Sequence, residues 1–237
     1  MTSILTLIKK EFRLYFNSPV AYIFITFFLV ISSWMYMRSL FLVGQADMRN
    51  YFLLAPWLLL FLVPAISMKL LSEEKKIGTM EVLMTWPVRD YEVVLGKFFG
   101  SFLFLIIAIL GTLPLLIILS YLGSPDWGAI IGSYLGTLFL AASFLAIGLW
   151  ASGLTDNQII AFIVSIVVIF VLFMLGNDSI LFFVPQSIAN FLKSLSLGSH
   201  YDSISRGVID TRDVLYYLSI IGFFLYLNVK TMERRKN

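Results

Sequence analysis

Six long stretches of the chain contain no charged residue, and any fold of the chain must keep these apolar segments away from water. They run from Val20 to Met37, Tyr51 to Met68, Phe98 to Leu122, Trp127 to Thr155, Ile159 to Gly176 and Val214 to Val229. A helix needs about 20 predominantly apolar residues to cross the hydrocarbon of a bilayer. The sixth stretch has only 16 residues and needs the flanking Arg212 and Lys230 to snorkel toward the interfaces. The pattern predicts an all-α integral membrane protein with six transmembrane helices.

The composition excludes most water-soluble folds. Apolar residues make up 59% of the chain and charged residues 13%, whereas soluble domains usually have about half and about a quarter. The stretches beginning at Phe98 and Trp127 are apolar on all sides, which disfavours a soluble bundle of amphipathic helices. The chain has no cysteine, and its one histidine, His200, has no metal-ligand partner at short spacing. We therefore predict no metal site and expect His200 to be an ordinary loop residue.

A seventh apolar stretch, Ser179 to Leu192, is too short to cross the membrane and contains Pro185. Such a segment suits a re-entrant or interfacial position better than a span. It belongs to the polar insertion 177–213, which we place on the extracytoplasmic side of the membrane. The sequence therefore predicts a re-entrant segment before the last span.

The rest of this insertion has a charge pattern that favours helix ends over a binding site. Asp202, Arg206 and Asp210 follow one another at intervals of four and fit one helical face. Gly207 is expected to close that helix, and Thr211 to cap the next one with Asp213 in its first turn.

Lysine and arginine residues are distributed unequally between the two sides of the membrane. With the N-terminus in the cytoplasm, the inner side holds 12 of the 17 cations and the outer side holds 5. The positive-inside rule then favours a multi-pass protein of the cell inner membrane with both termini cytoplasmic.

Residues 1–17 predict an amphipathic helix at the membrane interface. Apolar residues share one face at intervals of three and four, opposite three cations; the apolar set is Ile4, Leu5, Ile8, Phe12 and Phe16, and the cations are Lys9, Lys10 and Arg13. Asn17, Ser18 and Pro19 break this helix before the first span begins. An elbow at the membrane surface is expected.

The cytoplasmic segment 70–97 is the largest polar insertion on the inner side. Ile77, Met80, Leu83 and Met84 repeat at three and four, which predicts a short amphipathic helix over Thr79 to Thr85, ended by Pro87. A short helix between two spans can dock in a groove of a soluble partner. By composition alone, a surface-lying loop that obeys the positive-inside rule is the favoured explanation.

Two strings in the chain resemble known membrane proteins. From Glu73 to Lys97 the sequence has Glu-Glu-Lys-Lys-x-Gly-Thr-x-Glu-x-Leu, then Pro-Val and Val-x-x-Gly-Lys, and this resembles the cytoplasmic loop between the second and third spans of ABC-2 type exporter permeases. The stretch from Ser199 to Asp213 is similar to the gliding-motility branch of that family. The order of elbow, spans, re-entrant stretch and basic tail matches along the whole chain.

The resemblance implies a single permease domain over residues 1–237 that pairs with a second permease or auxiliary chain, like or unlike, and with two ATPase subunits. It implies a coupling role for Glu73, Glu74, Gly78, Thr79, Met80, Glu81, Leu83 and Pro87, and a position near the ATPase for the elbow with Lys9, Lys10, Phe12 and Arg13. The sequence contains no Gly-x-x-x-x-Gly-Lys-Ser/Thr phosphate loop. We therefore expect no enzymatic activity and no cofactor in this chain, with ATP and Mg on the partner ATPase. Membrane lipids are expected partners and nucleic acid is not.

Glycines recur every four residues where two of the spans begin. Gly128, Gly132 and Gly136 form one such stripe, and Gly96 and Gly100 form another. Side-chain-free positions at this spacing let a second helix approach closely. Packing within the chain and packing between chains both fit, and the first is favoured.

Three other functional classes fit less well. The pair Glu73 and Glu74 is shared with membrane-embedded CAAX-type proteases, but Lys76 and Ile77 follow where that family has an arginine, and intramembrane histidines are missing. A secondary carrier usually needs ionisable groups at mid-membrane depth, and the spans contain almost none. A scaffold that anchors a motility or secretion machine remains open as an alternative.

Overall fold

Helices account for nearly all of the chain that the computed structural model describes, namely residues 2–43, 47–79, 89–123, 125–207 and 210–233. The described residues form twelve α-helices. In chain order these are α1 (Thr2–Phe16), α2 (Pro19–Val43), α3 (Arg49–Ser67), α4 (Lys69–Ile77), α5 (Asp90–Leu110), α6 (Leu113–Leu122), α7 (Trp127–Leu154), α8 (Gln158–Met174), α9 (Asp178–Leu181), α10 (Gln186–Leu195), α11 (Leu197–Ser205) and α12 (Thr211–Glu233).

Five helical stretches among the described residues are long and apolar enough to cross a membrane: Pro19–Arg38, Arg49–Ile77, Asp90–Leu122, Trp127–Leu154 and Thr211–Glu233. The predicted all-helical membrane fold is thus confirmed in its coarse form. The last predicted span, the shortest in the sequence, lies within the 23 residues of α12. The fifth predicted span instead forms the shorter apolar helix α8, of 17 residues.

Helix α7 is the core of the bundle. It is buried along most of its length, and α3, α5, α8, α11 and α12 pack around it. Small residues such as Ala141, Ala146 and Gly148 allow these neighbours to approach closely. The outer surfaces of the surrounding helices carry large apolar side chains, as expected of helices whose solvent is lipid.

The polar residues between the helices mostly end or begin them. Oδ1 of Asp126 accepts hydrogen bonds from the backbone N–H groups of Gly128 and Ala129, at 3.1 and 3.4 Å. Asn157 and Asn177 cap α8 and α9 in the same way. These side chains satisfy backbone donors that the first turn of a helix leaves unpaired.

Candidate functional site

The N-terminus of α4 is held by a side chain from a distant helix. The residue before α4, Met68, has no side-chain cap of its own. Instead the Ser152 hydroxyl, from α7, accepts hydrogen bonds from the backbone N–H groups of Leu71 and Ser72, both at 3.0 Å. The same hydroxyl donates to the Met68 carbonyl at 2.8 Å. One buried serine thus joins the junction of α3 and α4 to the core helix.

The C-terminal part of α4 is held to the same helix. The Lys75 ammonium donates a hydrogen bond to the Gly153 carbonyl, near the end of α7. Gly78 then ends α4 with a backbone φ of +78°, a left-handed conformation that glycine adopts without the steric cost of a side chain. Helix α4 is therefore anchored to α7 at both ends before the chain enters the segment that follows residue 79.

A buried cluster of charges joins α4 to two further helices. The Lys97 ammonium, in α5, lies 2.7 Å from Oε1 of Glu74 in α4 and 3.1 Å from Oε1 of Glu11 in α1. Lys97 and Glu11 are 4% and 6% exposed, so water screens this attraction only weakly. Two carboxylates share one ammonium, which leaves the cluster with one net negative charge.

Helix α1 lies directly on the glycine stripe of α5. A Cβ atom at Gly96 would lie 2.6 Å from Cβ of Leu7, and one at Gly100 would lie 2.6 Å from Cβ of Glu11, so neither position has room for a side chain. One turn beyond Glu11, the Tyr15 hydroxyl is 2.9 Å from the Ser101 hydroxyl. Burial raises the pKa of the Tyr15 phenol, which therefore remains a neutral hydrogen-bonding group.

The side of α1 that packs on the bundle includes polar residues. Glu11 and Tyr15 are buried, whereas Leu5 is 67% exposed. Burial of Glu11 is possible because the Lys97 ammonium compensates its carboxylate and the glycines of α5 admit the helix on that side. Of the predicted elbow residues, Lys9, Lys10 and Arg13 are exposed and Phe12 is half-buried.

The predicted coupling residues fall partly inside the described chain. Glu73 is exposed on α4, Glu74 belongs to the charge cluster, Gly78 ends α4, and the Thr79 hydroxyl donates to the Glu74 carbonyl at 3.2 Å. The remaining ones lie outside the described residues: Met80, Glu81, Leu83 and Pro87.

The glycine stripe of α7 packs within the chain at two of its three positions. A Cβ at Gly132 would lie 2.9 Å from the Ile204 carbonyl oxygen, and one at Gly136 would lie 3.2 Å from Cγ2 of Ile204, both in α11. At Gly128 the nearest atom belongs to Asp126, the cap of the same helix. The structure therefore brings α11 against the stripe.

At the opposite end of the bundle, His200 lies in a helix, contrary to the prediction that it is a loop residue. It lies in α11, with Nδ1 2.6 Å from Oδ1 of Asp213 in α12 and Nε2 3.1 Å from the Ser194 carbonyl of α10. Its ring stacks on Tyr216, with centroids 3.9 Å apart. His200 is a structural link between three helices.

The helix ends at this side also differ in detail from expectation. Gly207, at φ +86°, follows the end of α11 as anticipated. The cap of α12 is Asp210, whose Oδ1 accepts from the Arg212 N–H at 2.9 Å, and not Thr211, which is the first residue of the helix. Asp210 is thus not on the α11 face with Asp202 and Arg206, because the chain turns at Gly207. The stretch predicted to be re-entrant forms two short helices, α9 and α10, which are connected by residues 182–185.

Glu11 and Ser152 were not singled out from the sequence, and Lys97 was noted only as the last residue of the Val-x-x-Gly-Lys string, although these three residues make most of the polar contacts around α4. Lys97 directly precedes a long charge-free stretch, and Glu11 lies among cations in the sequence. Neither position indicates an ion pair unless the contact between α1 and α5 is already known. Among the described residues no group of three or more His, Cys, Asp or Glu side chains could hold a metal ion. The arrangement connects α4 to α1, α5 and α7 through buried polar contacts.

The chain was compared with models of known protein families. A family model described as ABC-2 family transporter protein matches residues 54–231, three quarters of the chain. The matched part begins inside α3 and ends inside α12, so it includes α4, α5 and α7 and excludes α1. A search of curated proteins found no match.

Proposed function

The chain belongs to the ABC-2 family of transporter proteins, and from this we propose that it is the membrane permease subunit of an ATP-driven exporter of the gliding-motility type. ATP hydrolysis takes place in two separate ATPase subunits, and this chain forms the transport path together with a second permease chain. The permease itself has no enzymatic activity and binds no cofactor.

The anchoring of α4 is the observation that supports this proposal. The segment following residue 79 corresponds to the part that contacts the ATPase in the proposed complex. Any displacement of that segment reaches α4, which is bonded to α7 through Ser152 and Lys75 and to α1 and α5 through Glu74 and Lys97. Packed helices move as rigid bodies. A displacement of the segment after residue 79 is therefore transmitted through α4 to α1, α5 and α7.

In this proposal α8 is the additional crossing that makes six. Its 17 residues extend about 25 Å at 1.5 Å per residue, slightly less than the hydrocarbon thickness. Ala161, Ser165 and Ile169 face the bundle, while Ile163 and Val167 are each 54% exposed. A helix that is apolar on its exposed face as well suits a lipid environment. Six crossings put both termini on the same side of the membrane, and the distribution of lysine and arginine favours the cytoplasmic side.

Isolation of the chain with its natural partners tests the proposed function directly. Affinity purification from native membranes in mild detergent is expected to recover an ATPase subunit together with this chain. Recovery of this chain without any ATPase subunit would contradict the proposal.

The coupling role can be tested separately in the reconstituted complex. Glu81→Arg reverses a charge in the predicted coupling helix and is expected to lower the ATPase activity that the permease stimulates, without preventing membrane insertion. Glu233→Arg, at the exposed end of α12, is the matched control. Equal stimulation in both variants would place the coupling contact elsewhere.

A further inference from the structure

A recess of about 350 Å³ lies on the exposed face of α1 and is lined mainly by polar side chains, namely Thr6, Lys9, Lys10, Arg13, Leu14 and Asn17. The three cations among them form no ion pair with any residue in the described part of the chain. The one carboxylate of α1, Glu11, is turned into the bundle, where Lys97 compensates it. The recess therefore carries three positive charges that no described carboxylate pairs with.

The contacts of α1 place this recess at the boundary of the membrane. The Tyr15 ring stacks on Phe104 of α5, with centroids 4.6 Å apart. Phe104 lies about 9 Å along α5 from Phe98, where the charge-free stretch of that helix begins. The chain also enters the apolar helix α2 at Pro19, after only two residues that belong to neither helix. The C-terminal half of α1, with Arg13, therefore lies where lipid headgroups meet hydrocarbon.

An apolar surface continues from the recess toward the first span. Leu14 is 51% exposed, and it lines both the recess and a neighbouring cavity whose apolar wall includes Val20. Val20 and Ile23, in the first turns of α2, are 55% and 68% exposed. The exposed surface is thus cationic along α1 and apolar at the start of α2. A lipid with an anionic headgroup matches both parts, whereas a soluble acidic partner would match only the cations.

We propose that this recess binds the headgroup of an anionic phospholipid, with the acyl chains over Leu14 and Val20. The planar guanidinium of Arg13 donates two hydrogen bonds to the phosphate oxygens, and the ammonium groups of Lys9 and Lys10 supply further positive charge. Lysine and arginine side chains near a membrane surface attract anionic lipids. The bound lipid fastens α1 to the start of α2 from the outside, while the Glu11–Lys97 pair holds α1 from the inside.

Competition between two lipids tests this inference, and it requires no ATPase. The purified chain in detergent is incubated with equal amounts of phosphatidylglycerol, which is anionic, and phosphatidylcholine, which has no net charge, and bound lipid is measured by native mass spectrometry. We expect phosphatidylglycerol to be retained about tenfold better, which corresponds to about 1.4 kcal/mol. Equal retention of the two lipids would overturn the proposal. Glycerol 3-phosphate at the same concentration should not displace the lipid; displacement would show a site for free phosphate esters instead.

A variant without the three cations locates the site. Lys9→Gln, Lys10→Gln and Arg13→Gln are combined in one chain, and because all three side chains are exposed the bundle itself should fold unchanged. We expect this triple variant to retain the two lipids equally. An undiminished preference for phosphatidylglycerol would place the lipid elsewhere. If the variant kept that preference but no longer recovered an ATPase subunit, the cations would belong to the ATPase contact and the proposal would be wrong.

The matched control removes the same number of exposed cations from other places. Lys76→Gln, Arg89→Gln and Lys230→Gln change residues near the end of α4, before α5 and near the end of α12. This second triple variant should retain the preference for phosphatidylglycerol. An equal loss in both variants would show that the preference follows the total charge of the chain and not the recess.

Discussion

At the scale of single residues, Lys97 is the most informative side chain in the protein. It is one of the few charged groups buried in the bundle, and its partners Glu11 and Glu74 come from helices that are far apart in the sequence. A buried ion pair contributes little net stability, but removal of one partner leaves an uncompensated charge. Lys97 therefore fixes which helices may lie next to one another.

Substitution of Lys97 tests this role. We expect Lys97→Met to destabilise the protein by about 3–5 kcal/mol, because Glu11 and Glu74 would remain buried without a cation. The triple variant Glu11→Gln, Glu74→Gln, Lys97→Met should recover most of that loss. Unfolding midpoints in detergent measure both. Lys230→Met, which removes an exposed cation, is the control and should change little; a similar loss there would contradict the cluster's role.

Two serines of the core helix make a matched pair for the capping of α4. Ser152 accepts from two backbone N–H groups and donates to Met68, whereas the hydroxyl of Ser143, also fully buried in α7, has no partner among the described residues. We expect Ser152→Ala to cost about 1–3 kcal/mol, because it leaves buried backbone groups unpaired. Ser143→Ala should be neutral or slightly stabilising. Equal thermal stability of the two variants would show that α4 is not held by Ser152.

At the scale of elements, the contact between α1 and α5 decides how the N-terminal helix is attached. Its basis is the absence of side chains at Gly96 and Gly100, which lets α1 lie against the backbone of α5. The hydrogen bond between Tyr15 and Ser101 and the pair between Glu11 and Lys97 then fix its rotation about its own axis. A glycine stripe, not an apolar face, orients this helix.

A larger residue in the stripe should detach the helix. Gly100→Leu places a side chain against Glu11 and the backbone of Ile8, at an overpacking cost of about 1–3 kcal/mol. We expect faster tryptic cleavage after the exposed residues Lys9, Lys10 and Arg13. Gly222→Leu is the control, since no described atom lies within 4 Å of a Cβ at that position in α12. Equal cleavage rates in both variants would show that the stripe does not hold α1.

At the scale of the whole molecule, the number of crossings depends on α8. The chain has no cysteine, so single cysteines can be introduced without background. With six crossings, Ser194→Cys is expected to react with a membrane-impermeant maleimide in intact cells, and Asp156→Cys only after permeabilisation. Both positions are exposed. Labelling of both from the same side would show that α8 does not cross.

The whole-molecule arrangement also relates the two ends of the bundle. At one end the buried cluster around Lys97 joins α1, α4 and α5, and at the other His200 joins α10, α11 and α12. Helix α7 contacts a member of each cluster: it touches α4 near Ser152 and α11 near Gly132. The core helix is thus the shared neighbour of both polar clusters.

Much of this architecture could be predicted from local patterns. Charge-free stretches predicted the long apolar helices, and the glycine spacing at Gly132 predicted a close helix contact, because hydrocarbon length and backbone approach impose sharp requirements on sequence. Predictions about single polar residues were weaker. Thr211 was proposed as the cap of α12 where Asp210 serves, since both residue types cap helices and only the backbone direction distinguishes them.

The sequence by itself determined that this protein is a bundle of apolar helices and located the polar segment between its second and third spans, because a bilayer leaves no other solution for such a composition. The tertiary structure decided what that segment is attached to. Lys97 acquires its partners from residues 86 and 23 positions away in the chain, and Ser152 caps a helix about 80 positions away. Contacts of that separation leave no local period in a sequence, because they depend only on which helices pack together in space.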